Sequence, residues 1–293
     1  MLFQTKYLLI VLPVTVFALQ VLTGCGPRQY SHPTGYDLEH PQQMELGKVL
    51  NEISGITYDR QNNSLLAISD SKDKVIEIDL QKQKLKDVTG KIAEPGQDFE
   101  DLVLLDSTIY ILASKGEIRA VPLYGQDSNS VQVYTLDVKG KNDFETLYYD
   151  TASKGLIMLC KECDMEKGAH TKTAYRFDLE NKKFEDNPYY TISTKAVEDA
   201  VKDKKADFKP SAAAFHPLKK QLYILSSAGQ LLVITDSKGK VLEVHRLNPD
   251  LFPQAEGIAF APNGDMYISN EGKYGKPTLL LFPYKKTESK ENE

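Results

Sequence analysis

Short apolar runs, broken every few residues by Gly, Pro, Asn or Asp, recur along the chain from about residue 50 to residue 283. Runs of that length bounded by turn residues predict strands, not helices. Five of them share one outline: EISGITYD (52–59), DFEDLVLLD (98–106), DFETLYYD (143–150), PSAAAFHP (210–217) and AEGIAFAP (255–262). In each, a polar residue leads a small or apolar run that ends in Asp or Pro. The leaders are Ser54, Glu100, Glu145, Ser211 and Glu256, separated by 46, 45, 66 and 45 residues. A period near 45 is that of one propeller blade of four short strands.

Each unit continues with further strands. SLLAISD, KVIEIDL and KLKDVTG follow the first leader, and TIYILAS, GEIRAVPL and VQVYTLD follow the second. The third unit adds GLIMLCKE, TAYRFDL and PYYTIS, and the fourth adds QLYILSS, QLLVITD and VLEVHRL. The fifth offers three strands only, so residues 36–48 are expected to supply its outer strand and close the ring, leaving no open edge. The long interval contains TKAVEDAVKDKKADF (194–208), whose helix formers place Ala196, Val197, Ala200 and Val201 on one stripe. The expected fold is therefore all-β: a five-bladed β-propeller with one helical insertion. Six blades, with the extra one hidden in residues 163–208, is the competing topology.

The ends of the chain read differently. Lys6 and the apolar segment YLLIVLPVTVFALQ form a signal peptide, too short and too Pro-interrupted for a membrane span. Leu22-Thr23-Gly24-Cys25 resembles the lipobox of bacterial lipoproteins, which implies lipidation at Cys25 and a folded part tethered to a membrane in the cell envelope, outside the cytoplasm. The boundaries follow: 1–24 signal peptide, 25–35 lipid-anchored flexible tether, 36–285 a single propeller domain, 286–293 a disordered tail. A net charge of -5, or -6 without the first 24 residues, leaves no basic face for nucleic acid.

Propeller geometry turns the five leaders into a ring. The first strand of every blade lines the central channel, so Ser54, Glu100, Glu145, Ser211 and Glu256 are expected to face one another. Carboxylates about 5 Å apart repel by roughly 3 kcal/mol per pair at an effective dielectric near 20. Calcium offsets such charge well, since it takes six to eight oxygen ligands from carboxylates, neutral oxygens and water. Magnesium wants a tighter octahedron and keeps its waters. The alternative is a solvated channel whose acids face water. Asp98, Asp101, Asp143 and Glu52 lie near the ring but off its alignment and read as supporting or rim residues. The ends of the second strands are expected to rim the channel mouth through Asp70, Lys115, Lys161, Glu162, Ser226, Ser227, Asn270 and Glu271. Such a mixed polar rim suits a small polar ligand or a peptide.

Cys160 and Cys163 form one CxxC, open to a local disulfide, a buried thiol, or a redox or zinc site with His170. His32, His40, His216 and His245 form no metal pattern, and no GxSxG-type nucleophile motif occurs. The repeated motifs EISGITYD, DFEDLVLLD, KNDFETLYYD, KPSAAAFHP and QAEGIAFAPNGDMYISNE resemble the SdiA-regulated family of bacterial β-propeller proteins over about residues 45–285. That resemblance implies the fold and no defined activity. The order Ser, Glu, Glu, Ser, Glu is also similar to the central site of the calcium-activated nucleotidases, which implies calcium at those five residues, although no basic phosphate-gripping segment stands out. The sequence thus supports a membrane-tethered calcium-binding interaction module, with a calcium-dependent hydrolase of nucleotides or other phosphate esters as the alternative. Lactone or sugar chemistry would go with six blades.

Overall fold

A computed structural model describes residues 30–70, 72, 74–89, 92, 97–123 and 131–286. The signal segment, Cys25 and residues 287–293 lie outside the described residues. Strand β1 (Gln42–Glu45) comes first. The first blade is β2 (Ile53–Asp59), β3 (Ser64–Ser69), β4 (Ile76–Asp79) and β5 (Lys84–Asp87). The second is β6 (Phe99–Leu105), β7 (Thr108–Ala113), β8 (Glu117–Pro122) and β9 (Gln132–Thr135). In the third, β10 (Phe144–Asp150), β11 (Gly155–Cys160) and β12 (Thr171–Asp178) are followed by β13 (Lys183–Phe184) and β14 (Tyr190–Ser193), which share the outer edge of β12. Helix α1 (Thr194–Val201) precedes the fourth blade: β15 (Ala212–Phe215), β16 (Leu222–Ser226), β17 (Leu231–Thr235) and β18 (Val241–Arg246). The fifth holds β19 (Ala255–Phe260), β20 (Met266–Asn270) and β21 (Thr278–Phe282).

There are five blades, and residues 163–208 hold the outer half of the third blade and the helix, not a sixth. The expected closure is present: β1 pairs antiparallel with β21, Gln42 opposite Leu281 and Glu45 opposite Thr278. The innermost strands touch in a closed circuit, β2 to β6 to β10 to β15 to β19 and back to β2. The core is accordingly divided into five apolar clusters, one at each blade junction. Faces that alternate along each strand therefore find an apolar partner on both sides, which is what makes a ring of otherwise marginal four-stranded sheets stable.

The helix is shorter than the insertion. Ser193 caps it by accepting from the Ala196 N–H at 3.1 Å, and Lys202 ends it in the left-handed region. Val197 is its buried residue, packed in the cluster between the third and fourth blades.

Residues 30–35, placed by sequence in the flexible tether, lie against the fourth and fifth blades. Ser31 Oγ is 2.9 Å from His245 Nδ1, Lys219 Nζ donates to Thr34 O at 2.6 Å, and Lys285 N–H donates to Gly35 O at 2.9 Å. Gly35 adopts φ +94°, and a Cβ there would strike the Tyr284 ring at 2.4 Å, so only glycine fits. Tyr36 plugs the junction among His216, Tyr223 and Tyr284. Its hydroxyl donates to Gly264 O at 2.6 Å and lies 2.7 Å from His216 Nε2. His216 Nδ1 accepts the N–H groups of Leu218 and Lys219, so Nε2 carries the proton and the neutral ring donates to Tyr36. Burial holds the His216 pKa down at about 4.

Candidate functional site

The five leaders do not sit in regular strand. The ladders of β2, β6, β10 and β19 each skip one residue, and the skipped residues are Ser54, Glu100, Glu145 and Glu256. Each is the extra residue of a β-bulge, freed from the ladder and re-aimed. That explains how acids can interrupt an apolar strand: Phe144 and Thr146 on either side of Glu145 stay fully buried while Glu145 leaves the alternation. The innermost strand of the fourth blade, β15, pairs with β16 without such a shift. There Ser211 stands just before β15, its hydroxyl donating to Ala255 O at 2.9 Å and accepting the Ser227 N–H at 3.2 Å.

Two further levels flank the bulge ring. Two residues before the bulges stand Glu52, Asp98, Asp143 and Gln254, whose carbonyls accept the N–H groups of Asp70, Ser114, Lys161 and Glu271. Lys209 holds the same place in the fourth blade, its N–H on Ser226 Oγ at 2.9 Å. The rim residues Asp70, Lys161, Ser227 and Glu271 are therefore brought together around one mouth. Lys115 is not among them: it is exposed in a turn, and its predecessor Ser114 fills the level, donating to Asp98 Oδ2 at 2.9 Å. Asn270 is buried in its own blade, donating to Leu251 O and Thr278 Oγ1, and Ser226 is likewise tied down, donating to Asp207 O. Glu162 is exposed and pairs with Lys209 at 3.4 Å.

The electrostatics concentrate between the second and third blades. Carboxylate oxygens of Glu100, Asp143 and Glu145 lie within 4.8 Å of one another. Burial first, and then the charges of Glu145, Asp98 and Asp143, push the Glu100 pKa up to about 10. Burial raises Glu145 to about 7 against the pull of Lys161, and raises Glu256 to about 8 with Glu145 adding to it. Lys161 is the internal counter-ion: its ammonium bonds Glu145 Oε1, with Glu256 and Asp143 also near. Glu145 is only 9% exposed, and its Oε2 has no hydrogen-bond partner. Three clustered carboxylates, one with an orphaned buried oxygen, suit a hard cation. Ser54 takes less part, its hydroxyl donating to Glu52 O at 3.3 Å.

Asp101 is not a rim residue. It is fully buried, and its two oxygens accept the N–H groups of Leu102 and Leu147, both at 2.8 Å, tying β6 to β10. A Cβ on Gly55 would lie 2.5 Å from Asp101 Oδ1, so glycine lets the first blade close on it. Cys160 and Cys163 are joined in a disulfide that spans Lys161 and Glu162. His170 lies elsewhere, its carbonyl accepting from Thr194 N–H, and the CxxC has no zinc cluster around it among the described residues. Sequence reasoning missed Lys161 as a ring partner and Lys209 and Lys273 beside it. Aligning KPS with DFE would have set Lys209 level with Asp98 and Asp143.

These features define a class: a five-bladed propeller with one acidic channel mouth. Residues 30–274 match the model of the SdiA-regulated family, and the chain belongs to that family. Among solved structures the chain is similar to a Myxococcus xanthus glutaminyl cyclase, with TM-score 0.53, 9% identity, and coverage of 84% of this chain and 96% of that one. It is also similar to a luciferin-regenerating enzyme, with TM-score 0.51, 11% identity, and coverage of 83% and 95%. At such identities the likeness is one of fold alone.

Proposed function

We propose that this protein is a calcium-binding β-propeller of the cell envelope, tethered to a membrane through lipidated Cys25, that presents its acidic mouth to a small polar ligand or a peptide. One observation carries the reading. The same bulge recurs in four blades and sets Glu100, Glu145 and Glu256 around one mouth, where Glu145 keeps a buried oxygen without a partner. Glu100, Glu145, Glu256 and Asp143 would supply the charged ligands, with Ser54, Ser211 and water as neutral ones. Calcium would neutralise the ring and fix the mouth in shape. A ligand would then bind a preorganised surface.

The test is thermal melting with and without calcium. Calcium at about a hundred times its Kd should stabilise the protein by about 2.7 kcal/mol. Glu145→Gln should lose most of that shift. An unshifted midpoint in the parent at millimolar calcium would sink the reading.

Calcium-dependent hydrolysis of nucleotides or other phosphate esters is a second reading. It draws support from the three lysines that line the recess next to the ring, Lys161, Lys209 and Lys273. Turnover of a nucleotide or phosphomonoester that stops on chelation would establish it.

A further inference from the structure

A recess of about 420 Å³ opens beside the ring and shares Ser211 and Glu256 with it. Its walls also carry Ser227 and the lysines 161, 209 and 273. Lys161 thus belongs to two places at once, lining the recess while its ammonium rests on Glu145. Among the described residues Lys209 pairs with exposed acids of the neighbouring loops, Glu162 at 3.4 Å and Asp207 at 3.7 Å.

We propose that the recess is an oxyanion site coupled to the ring: a divalent cation entering the ring displaces the Lys161 ammonium, which turns into the recess and with Lys209 and Lys273 receives a small phosphate group. This rests on the reading of the ring as a cation site. Three arguments support it. First, an ammonium and a divalent ion cannot share Glu145 without strong mutual repulsion. Second, the exchange needs no backbone motion. Lys161 N–H is held by Asp143 O at 2.9 Å, Lys161 O accepts from Lys172, and the disulfide closes the loop on both sides. Third, an anion approaching the mouth meets Glu52, Asp98, Asp143 and the ring acids, and is repelled until a cation offsets them. Lysines bind phosphate as point charges, and three around one recess match a dianion.

Coupling of this kind is reciprocal, so phosphate must tighten calcium as much as calcium tightens phosphate. Calcium titrations of the purified protein by calorimetry, with and without inorganic phosphate, test it. Phosphate should lower the apparent Kd for calcium about tenfold, in the ordinary range of allosteric coupling, while acetate should leave it unchanged. Lys161→Met should bind calcium more tightly than the parent in phosphate-free buffer, having lost the competitor, and should lose the phosphate effect. Lys209→Met should also lose the phosphate effect. If phosphate leaves the parent's calcium affinity unchanged, or Lys161→Met weakens calcium, the coupling is wrong and the ring reading stands. Equal tightening by acetate would overturn the phosphate assignment. If neither parent nor Lys161→Met binds calcium, both readings fall together.

Discussion

At one end of the channel Glu100, Glu145 and Glu256 stand at bulges among other acids; at the opposite end the innermost strands run out through Ile56, Leu104, Tyr148, Phe215 and Phe260, and those of the first and third blades end in turns opened by Asp59 and Asp150. Both ends carry carboxylates, and their surroundings differ in kind. Asp59 accepts the N–H groups of Gln61 and Asn62 at 2.9 and 3.3 Å, and Asp150 those of Ala152 and Ser153 at 3.0 and 3.2 Å. These are Asx-type turns, in which the acid supplies acceptors that the reversing backbone needs. Glu145 has one lysine and one orphaned oxygen. An acid becomes a candidate ligand when backbone donors do not claim it. The repeated Asp at the strand ends is architecture, and the repeated Glu at the bulges is not explained by architecture.

The largest effect is expected midway between the ends. Asp101→Ala would orphan the N–H groups of Leu102 and Leu147 and cut the tie between the second and third blades. At about 1–3 kcal/mol for each unsatisfied buried donor, the loss should be about 2–6 kcal/mol in urea denaturation. The calcium-induced shift of the surviving folded protein should remain. Loss of the shift with intact stability would mean that Asp101 belongs to the site.

The sharpest contrast pairs one acid from each end in calcium-free buffer near pH 8. Asp150→Ala removes two acceptors from its turn and should cost about 1–2 kcal/mol. Near pH 8 Glu100, raised to about 10 by burial and by the charges of Glu145, Asp98 and Asp143, must take up a proton on folding; Glu100→Gln removes that cost and should stabilise by at least about 1 kcal/mol. Denaturation midpoints that move in the same direction would break the distinction between the two ends.

The pH dependence tests the same point without mutation. Glu145, Glu256 and Glu100 are raised in the fold from 4.5 to about 7, 8 and 10. Each folded value exceeds the unfolded one, so the contribution is fully present below pH 4.5 and is lost as pH rises through the folded values. His216 works in the opposite sense. Lowered from 6.5 to about 4, it contributes above pH 6.5 and is lost as pH falls toward 4. Calcium-free melting temperatures should therefore fall between about pH 5 and pH 9, and the stabilisation by calcium should grow over that window as protons cease to compete. A calcium effect independent of pH would detach the ion from these glutamates.

Much of this arrangement is legible in the sequence because its signals are local. Turn residues and strand-length runs fix the blade period, the incomplete fifth unit points to closure by residues 36–48, and the stripe around Val197 marks the helix. The five leaders are found by the same alignment. What escapes is non-local. A bulge leaves no mark in the alternation of Phe99, Glu100 and Asp101, so the axial Glu100 and the buried Asp101 look alike as text. Lys161 becomes a ring partner only because the second strand returns beside Glu145, and Asn270 is drawn inward by Leu251 and Thr278. Nothing nearby in the chain records either fact.

The smallest expected effect separates the two kinds of ring residue. Ser54 stands at the same bulge as the glutamates, yet its hydroxyl already donates to Glu52 O at 3.3 Å and it carries no charge. Removing it takes from calcium one neutral oxygen, which water can replace, since the ion accepts six to eight ligands in a flexible shell. Ser54→Ala should therefore weaken calcium by only about threefold, under about 1 kcal/mol, in the titration that shows Glu145→Gln as a near-complete loss. The comparison is informative in either direction. A Ser54→Ala effect as large as that of Glu145→Gln would mean that ring geometry governs affinity, whereas the carboxylates' unclaimed charge is the driving term if the two variants differ as stated.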